Sequence, residues 1–139
     1  MVFFPNPQDA TVLGAALYYG KRGLAVHALA PELPVHTALG FTAEEWQAFE
    51  SDAKSIWEFF VREQLLFNTD PLMRQRLVEP APFSKLGTAQ DAQIPGRVGV
   101  YIGYKIAEAY VQKQQPEKLT DVLNLRDAQQ MLRLSNYKP

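Results

Sequence analysis

The chain has 139 residues, a formal net charge of −1, 47% hydrophobic and 21% charged residues, the size and balance of one globular domain and not of a disordered tail. It contains no cysteine, which excludes disulfides, thiolate catalysis and cysteine-ligated zinc. An acidic excess in the first part of the chain and a basic excess in the rest are both dispersed, and the aromatics do not interleave with Lys and Arg as a single-strand groove needs, so no nucleic-acid partner is expected.

The opening Met1-Val2-Phe3-Phe4-Pro5-Asn6-Pro7 has no basic region and no long apolar core, so it does not read as a signal peptide. No apolar run approaches the roughly 20 residues of a membrane-spanning helix. Asn6 before Pro7 fits a helix cap followed by a first helical residue. A helix is expected over residues 8–30, with Val12, Leu13, Ala16, Leu17, Leu24 and Ala28 in its apolar stripe and a break near Gly20 and Gly23. Residues 31–40, with Pro31 and Pro34, read as a connection.

Thr42-Ala43-Glu44-Glu45 forms a capping box, in which Thr42 caps the helix and Glu45 reaches back. Phe41 before it can staple onto Trp46. Apolar residues then recur at Trp46, Phe49, Ala53, Ile56, Trp57, Phe60 and Phe67, the pattern of one core-facing second helix. Asp70-Pro71 starts a short helix through Val78.

Residues 79–96 hold several prolines and read as a long irregular loop, and such loops are often functional. Pro95-Gly96 launches a third main helix to about Gln115. Gly99, Gly103 and Ala107 recur every four residues along it and leave a bare groove where another helix can approach, beside a stripe of Val98, Ile102, Ile106 and Tyr110. Leucine at position 103 is expected to destabilise the domain, and alanine to cost less. Short helices over residues 119–123 and 127–134 follow, the last burying Ala128, Met131, Leu132 and Leu134. The expectation is a single all-α domain over residues 1–139.

The chemistry-bearing residues form no complete catalytic set. His27 and His36 lie nine apart across Pro31 and Pro34, unlike the His-Glu-x-x-His of a zinc hydrolase. Glu44, Glu45, Glu50, Asp52, Glu58 and Glu63 read as the solvated outer face of the second helix. Ser84 lacks a nearby histidine and the glycines of a nucleophile elbow. No catalytic, metal or cofactor-binding residue is therefore assigned, and no cofactor is expected. Arg97 stands where a helix N-terminus disfavours positive charge. It is expected to meet a carboxylate, with Asp91 the nearest, or a loop carbonyl, and so to pin residues 81–95 onto the third helix. Phe83, Ser84, Lys85, Arg97 and Tyr101 are the candidate interaction or structural residues.

Three landmarks in order carry a family resemblance: Pro80-Ala81-Pro82-Phe83-Ser84-Lys85, Pro95-Gly96-Arg97-Val98-Gly99-Val100-Tyr101-Ile102-Gly103-Tyr104-Lys105-Ile106, and Tyr137-Lys138-Pro139. With Tyr18-Tyr19-Gly20-Lys21, Gly40-Phe41-Thr42-Ala43-Glu44 and Ile56-Trp57-Glu58-Phe59-Phe60 upstream, the chain resembles the C-terminal half of the GldB-type gliding-motility lipoproteins of Bacteroidota. It departs from them after Lys85, where Leu86-Gly87-Thr88-Ala89-Gln90 has no aromatic, and at Tyr104, where tryptophan is usual.

The family is distantly similar to predicted zinc peptidases of gluzincin-like scaffold. There a Glu-Gly pair on a later helix supplies the third metal ligand, and Tyr19-Gly20 stands in its place. The resemblance thus implies a non-catalytic module in the cell envelope, associated with gliding motility and type IX secretion, that acts through protein partners. Membrane association would come only through an anchor in the other half of a full-length member. The alternative it implies is the helical fragment of a zinc peptidase-like enzyme whose catalytic helix lies upstream. A pocket lined by Trp46, Trp57 and tyrosines of the third helix would instead suit a small-molecule binding domain.

Overall fold

The computed structural model describes residues 11–78, 97–125 and 127–139. They form α1 (Val12–Leu29), α2 (Val35–Ala38), α3 (Ala43–Ser51), α4 (Ala53–Arg62), α5 (Pro71–Val78), α6 (Val98–Gln114), α7 (Leu119–Leu123) and α8 (Ala128–Ser135), with no strand among the described residues. The fold is all-α, as the helical periodicities predict.

α1 begins at Val12 and not at residue 8, because Thr11 is extended and its hydroxyl accepts the Gly14 N–H at 3.0 Å. The expected cap at Asn6 and Pro7 lies outside the described residues. Two further donors of the first turn are taken by the chain after α4: Val12 N–H bonds Asn68 O at 2.9 Å and Leu13 N–H bonds Leu66 O at 2.8 Å. The expected break near Gly20 and Gly23 is absent, and α1 is continuous. Its glycines are spent on packing. A Cβ on Gly20 would stand 2.6 Å from the backbone of Gly103, and one on Gly23 would stand 2.4 Å from the Leu39 side chain.

α1 and α6 are the central pair, with α8 against α6, α5 against both and α7 against α1. The bare groove read on α6 is used on two sides. A Cβ on Gly103 would lie 2.0 Å from Ala16 O, and one on Gly99 would lie 2.8 Å from Leu77 O. Alanine at 103 therefore already collides with backbone, so it too is expected to cost stability, if less than leucine. Beside this seam Val98, Ile102 and Ile106 are buried. With Val12, Leu13, Phe49, Phe60, Leu77 and Met131 they form the main core.

The predicted second helix is two. Asp52 (φ −106°, ψ 15°) ends α3 and starts α4, and its N–H is shared by the Ala48 and Phe49 carbonyls. Ser51 and Asp52 compete with the backbone for hydrogen bonds, which favours an interruption there. The capping box is present, with Glu45 N–H to Thr42 Oγ1 at 3.0 Å and Thr42 N–H to Glu45 Oε1 at 2.8 Å. The staple is present too, Phe41 and Trp46 lying 6.1 Å apart.

α4 stops at Arg62 in a Schellman motif. Gln64 is left-handed (φ 55°), with Leu65 N–H to Phe60 O at 2.9 Å and Gln64 N–H to Val61 O at 3.2 Å. Phe67, read as part of the helical stripe, lies beyond this stop and is 51% exposed. α2 closes by the same motif, with Phe41 N–H to His36 O, Gly40 N–H to Thr37 O and Gly40 at φ 86°, a conformation glycine adopts without strain.

α5, α7 and α8 start on or next to the expected residues, whereas α6 begins only at Val98, after a left-handed Arg97 that was expected inside its first turn. Asp70 Oδ1 accepts Leu72 N–H, and Asp127 Oδ1 accepts Gln130 N–H at 3.0 Å. In α8 the buried face is Ala128, Met131 and Ser135, while Leu132 and Leu134 are only partly covered. Ser135 is tolerated inside because its hydroxyl donates to Leu132 O at 2.7 Å and accepts Tyr137 N–H.

Candidate interaction site

Arg97 is the N-cap of α6, with a left-handed backbone at φ 64°. Its guanidinium reaches backbone carbonyls at the ends of two other helices. Nη1–H donates to Leu39 O at 2.9 Å and Nε–H to Val78 O at 3.4 Å. Those are the C-cap carbonyl of α2 and the last carbonyl of α5, groups that a helix leaves without an internal partner. The cation also lies over the rings of Phe41 (5.2 Å) and Tyr19 (5.9 Å). Arg97 thus ties the ends of α2, α5 and α6 together and escapes the dipole of its own helix by reaching to the carbonyl ends of others. The expected pinning of residues 81–95, the Asp91 contact, and Phe83, Ser84 and Lys85 lie outside the described residues.

One turn along α6, Tyr101 is fully buried. A ladder of rings joins it to Arg97: Phe41 meets Phe49 edge to face at 5.1 Å, and Phe49 stacks on Tyr101 at 4.9 Å. Its hydroxyl donates to Glu50 Oε2 at 3.0 Å. Glu50 is therefore not merely part of a solvated face: its other oxygen lies 3.4 Å from Lys105 Nζ, which also meets Glu108 Oε1 at 3.2 Å. Tyr104 donates to Glu108 Oε2 at 3.3 Å. The signal that could have found Glu50 is its place one turn after Trp46, whose ring meets those of both Tyr101 (5.1 Å) and Tyr104 (5.9 Å).

Burial, then the Glu50 carboxylate, hold the Tyr101 phenol far above its ordinary range; burial, then Glu108, do the same for Tyr104. Tyr137 is pushed up to about 12, first by burial and then by Glu50 and Glu108. Its hydroxyl oxygen is buried and electrostatically coupled to Tyr101 without reaching good hydrogen-bond geometry. All three phenols keep their protons at neutral pH, so none is a base, and Tyr101 and Tyr104 donate to carboxylates. Trp46 packs on the rings of the two α6 tyrosines, whereas Trp57, expected beside them in one pocket, lines a groove elsewhere.

The ring of Tyr137 connects this cluster to a different feature. A half-open groove of about 720 Å³ lies between the end of α4 and the end of α8. Trp57, Phe60, Leu66 and Leu132 give it an apolar lining, and Tyr137 packs edge to face on Trp57 at 5.0 Å. Val61 and Phe67 also line it and are 55% and 51% exposed. Both helices end there in a left-handed residue, Gln64 and Asn136. Arg133 and Lys138 reach the groove without an ion pair among the described residues, whereas Glu63 is paired with Arg62 at 3.5 Å. Sequence reasoning missed this groove, because Phe67 reads as part of the second helix's apolar stripe.

His27 lies in the last turn of α1 and His36 in α2. Among the described residues no group of three His, Asp or Glu side chains could hold a metal ion, and no helix is long and apolar enough to cross a membrane. The fold and its surfaces define an all-helical domain with one cationic tie, one phenol–carboxylate cluster and an open groove. The family model described as "Gliding motility protein GldB" matches residues 1–139, and the chain belongs to that family. No curated protein and no solved structure matches the chain.

Proposed function

We propose that this chain is a non-catalytic module of a gliding-motility lipoprotein in the cell envelope, that residues 1–139 form one domain, and that it acts by binding protein partners. The observation that carries the reading is the family match along the whole chain. An open groove with half-exposed Val61 and Phe67 supports a binding role, since apolar surface left in water favours an occupant. In the same reading the scaffold descends from a peptidase-like one. Tyr19, in the place of the glutamate ligand, there serves as a ring beneath Arg97 and Arg22, at 5.9 and 5.6 Å.

The test is genetic. Deleting the gene is expected to abolish gliding on a surface and leave growth in liquid unchanged, with the wild-type gene restoring movement. Normal gliding in the deletion strain would overturn the reading.

A further inference from the structure

We infer that the groove between α4 and α8 takes a peptide segment of a protein partner in which apolar side chains alternate with carboxylates. The inference rests on the binding role proposed above and names the chemistry of the partner.

Three observations select that occupant. The lining is apolar and aromatic, with Trp57, Phe60 and Leu132 at its centre, and its volume of about 720 Å³ accommodates a few apolar side chains. The charge around it is unbalanced. Arg133 and Lys138 make no ion pair among the described residues, while the carboxylate of Glu63 is engaged by Arg62. The groove therefore offers two unneutralised cations to an anionic partner, and no unneutralised anion to a cationic one. Finally, the Gln64 and Asn136 carboxamides make no side-chain hydrogen bonds among the described residues, although both line the groove. Each carries a donor and an acceptor, which matches the N–H and C=O of a peptide backbone better than an acyl chain.

The experiment uses the whole chain and two fluorescent peptides, one alternating leucine pairs with glutamates and its twin with lysine at every glutamate. At low salt the acidic peptide is expected to bind saturably and at least about tenfold more tightly than the twin, a difference that shrinks as salt screens it. Arg133→Glu with Lys138→Glu is expected to reverse the order. Phe67→Ser should weaken the acidic peptide by about tenfold, whereas Leu29→Ser, which alters an exposed residue outside the groove lining, should leave it unchanged. Circular dichroism checks that each variant is folded.

Equal affinities for the two peptides, an order that survives the double charge reversal, or no saturation below about 1 mM would each overturn the inference. So would retention on phosphatidylglycerol vesicles that Phe67→Ser releases while neither peptide binds, because the groove would then be a lipid site. A strain that cannot glide without the gene but whose protein shows no charge preference loses the groove assignment and keeps the function. Normal gliding with the preference intact does the reverse.

Discussion

The seam between α1 and α6 and the groove between α4 and α8 use apolar residues in opposite ways. In the seam, Ala16, Gly20 and Gly103 remove side chains so that two backbones approach until an added Cβ on Gly103 would lie 2.0 Å from Ala16 O. In the groove, Val61 and Phe67 are large and remain about half exposed. Dispersion rewards close atomic contact, so the seam gains from every atom it excludes. The groove leaves that gain unrealised until something fills it. If the groove binds as proposed, stability and binding fall to different helices of one small domain, and substitutions should separate them.

A large effect is expected at the seam. Gly103→Leu should destabilise the fold by about 3 kcal/mol, and Gly103→Ala should also destabilise it, since the obstacle is backbone carbonyl and not a side chain that can turn away. Denaturant midpoints measure both. An alanine variant as stable as the wild type would mean that α1 and α6 separate easily, and the contrast with the groove would lose its first term.

Arg97→Met comes next. It leaves the Leu39 and Val78 carbonyls without their donor and the Phe41 ring without its cation, at an expected cost of about 2 kcal/mol. Amide exchange should rise in α2 and near the end of α5, with α4 unaffected. Arg97→Lys should recover only part of the loss, because an ammonium cannot reproduce a planar fork aimed at two carbonyls. Uniformly faster exchange through α4 would show that Arg97 supports the whole fold and is no local tie.

How far the sequence disclosed these features depends on the distance over which each is decided. The capping box at Thr42 and Glu45 was legible because donor and acceptor lie within one turn. The four-residue recurrence of Gly99 and Gly103 was legible as a close-approach face for the same reason, although nothing local says that Ala16 lies opposite. The Leu39 contact of Arg97 was not legible. The electrostatic problem is visible at a helix start, but this carbonyl lies 58 positions away in the chain. Glu50 was misread because a carboxylate next to a helix stripe looks solvated until Tyr101 arrives from another helix. The groove exists only because α4 stops at a left-handed glutamine, where periodicity alone would have carried the helix on to Phe67.

The phenol cluster supplies a pH-dependent effect in the core beside the seam. An unfolded tyrosine loses its proton near pH 10, whereas Tyr137 in the fold does so at about 12 and Tyr101 and Tyr104 are also held above their ordinary value. The folded state therefore keeps protons that the unfolded state releases, and stability falls as pH rises. The contribution of Tyr137 is complete below pH 10 and lost between about 10 and 12. Burial lowers the pKa of Lys21, whose amine donates to Leu125 O, so its contribution grows with pH and stops growing at its unfolded value near 10.5. The decline above that pH belongs to the phenols. Unfolding midpoints should fall steadily through this window, and Tyr137→Phe should flatten the fall; an unchanged slope would assign the alkaline loss to Tyr101 and Tyr104 alone.

The smallest effect on stability is expected where the effect on binding is greatest. Phe67→Ser removes a ring that is already half in water and lies outside any helix, so unfolding should change by no more than about 0.5 kcal/mol. The same size of side-chain change at Phe60, which is 1% exposed and also borders the groove, should cost about 3 kcal/mol or more through the cavity it leaves. Two phenylalanines lining one groove would then differ severalfold in their worth to the fold, with only the exposed one free to serve a partner. If Phe67→Ser instead destabilised the chain as much as Phe60→Ser, the lip of the groove would be core, and the division between a seam that holds the fold and a groove left open for binding would not stand.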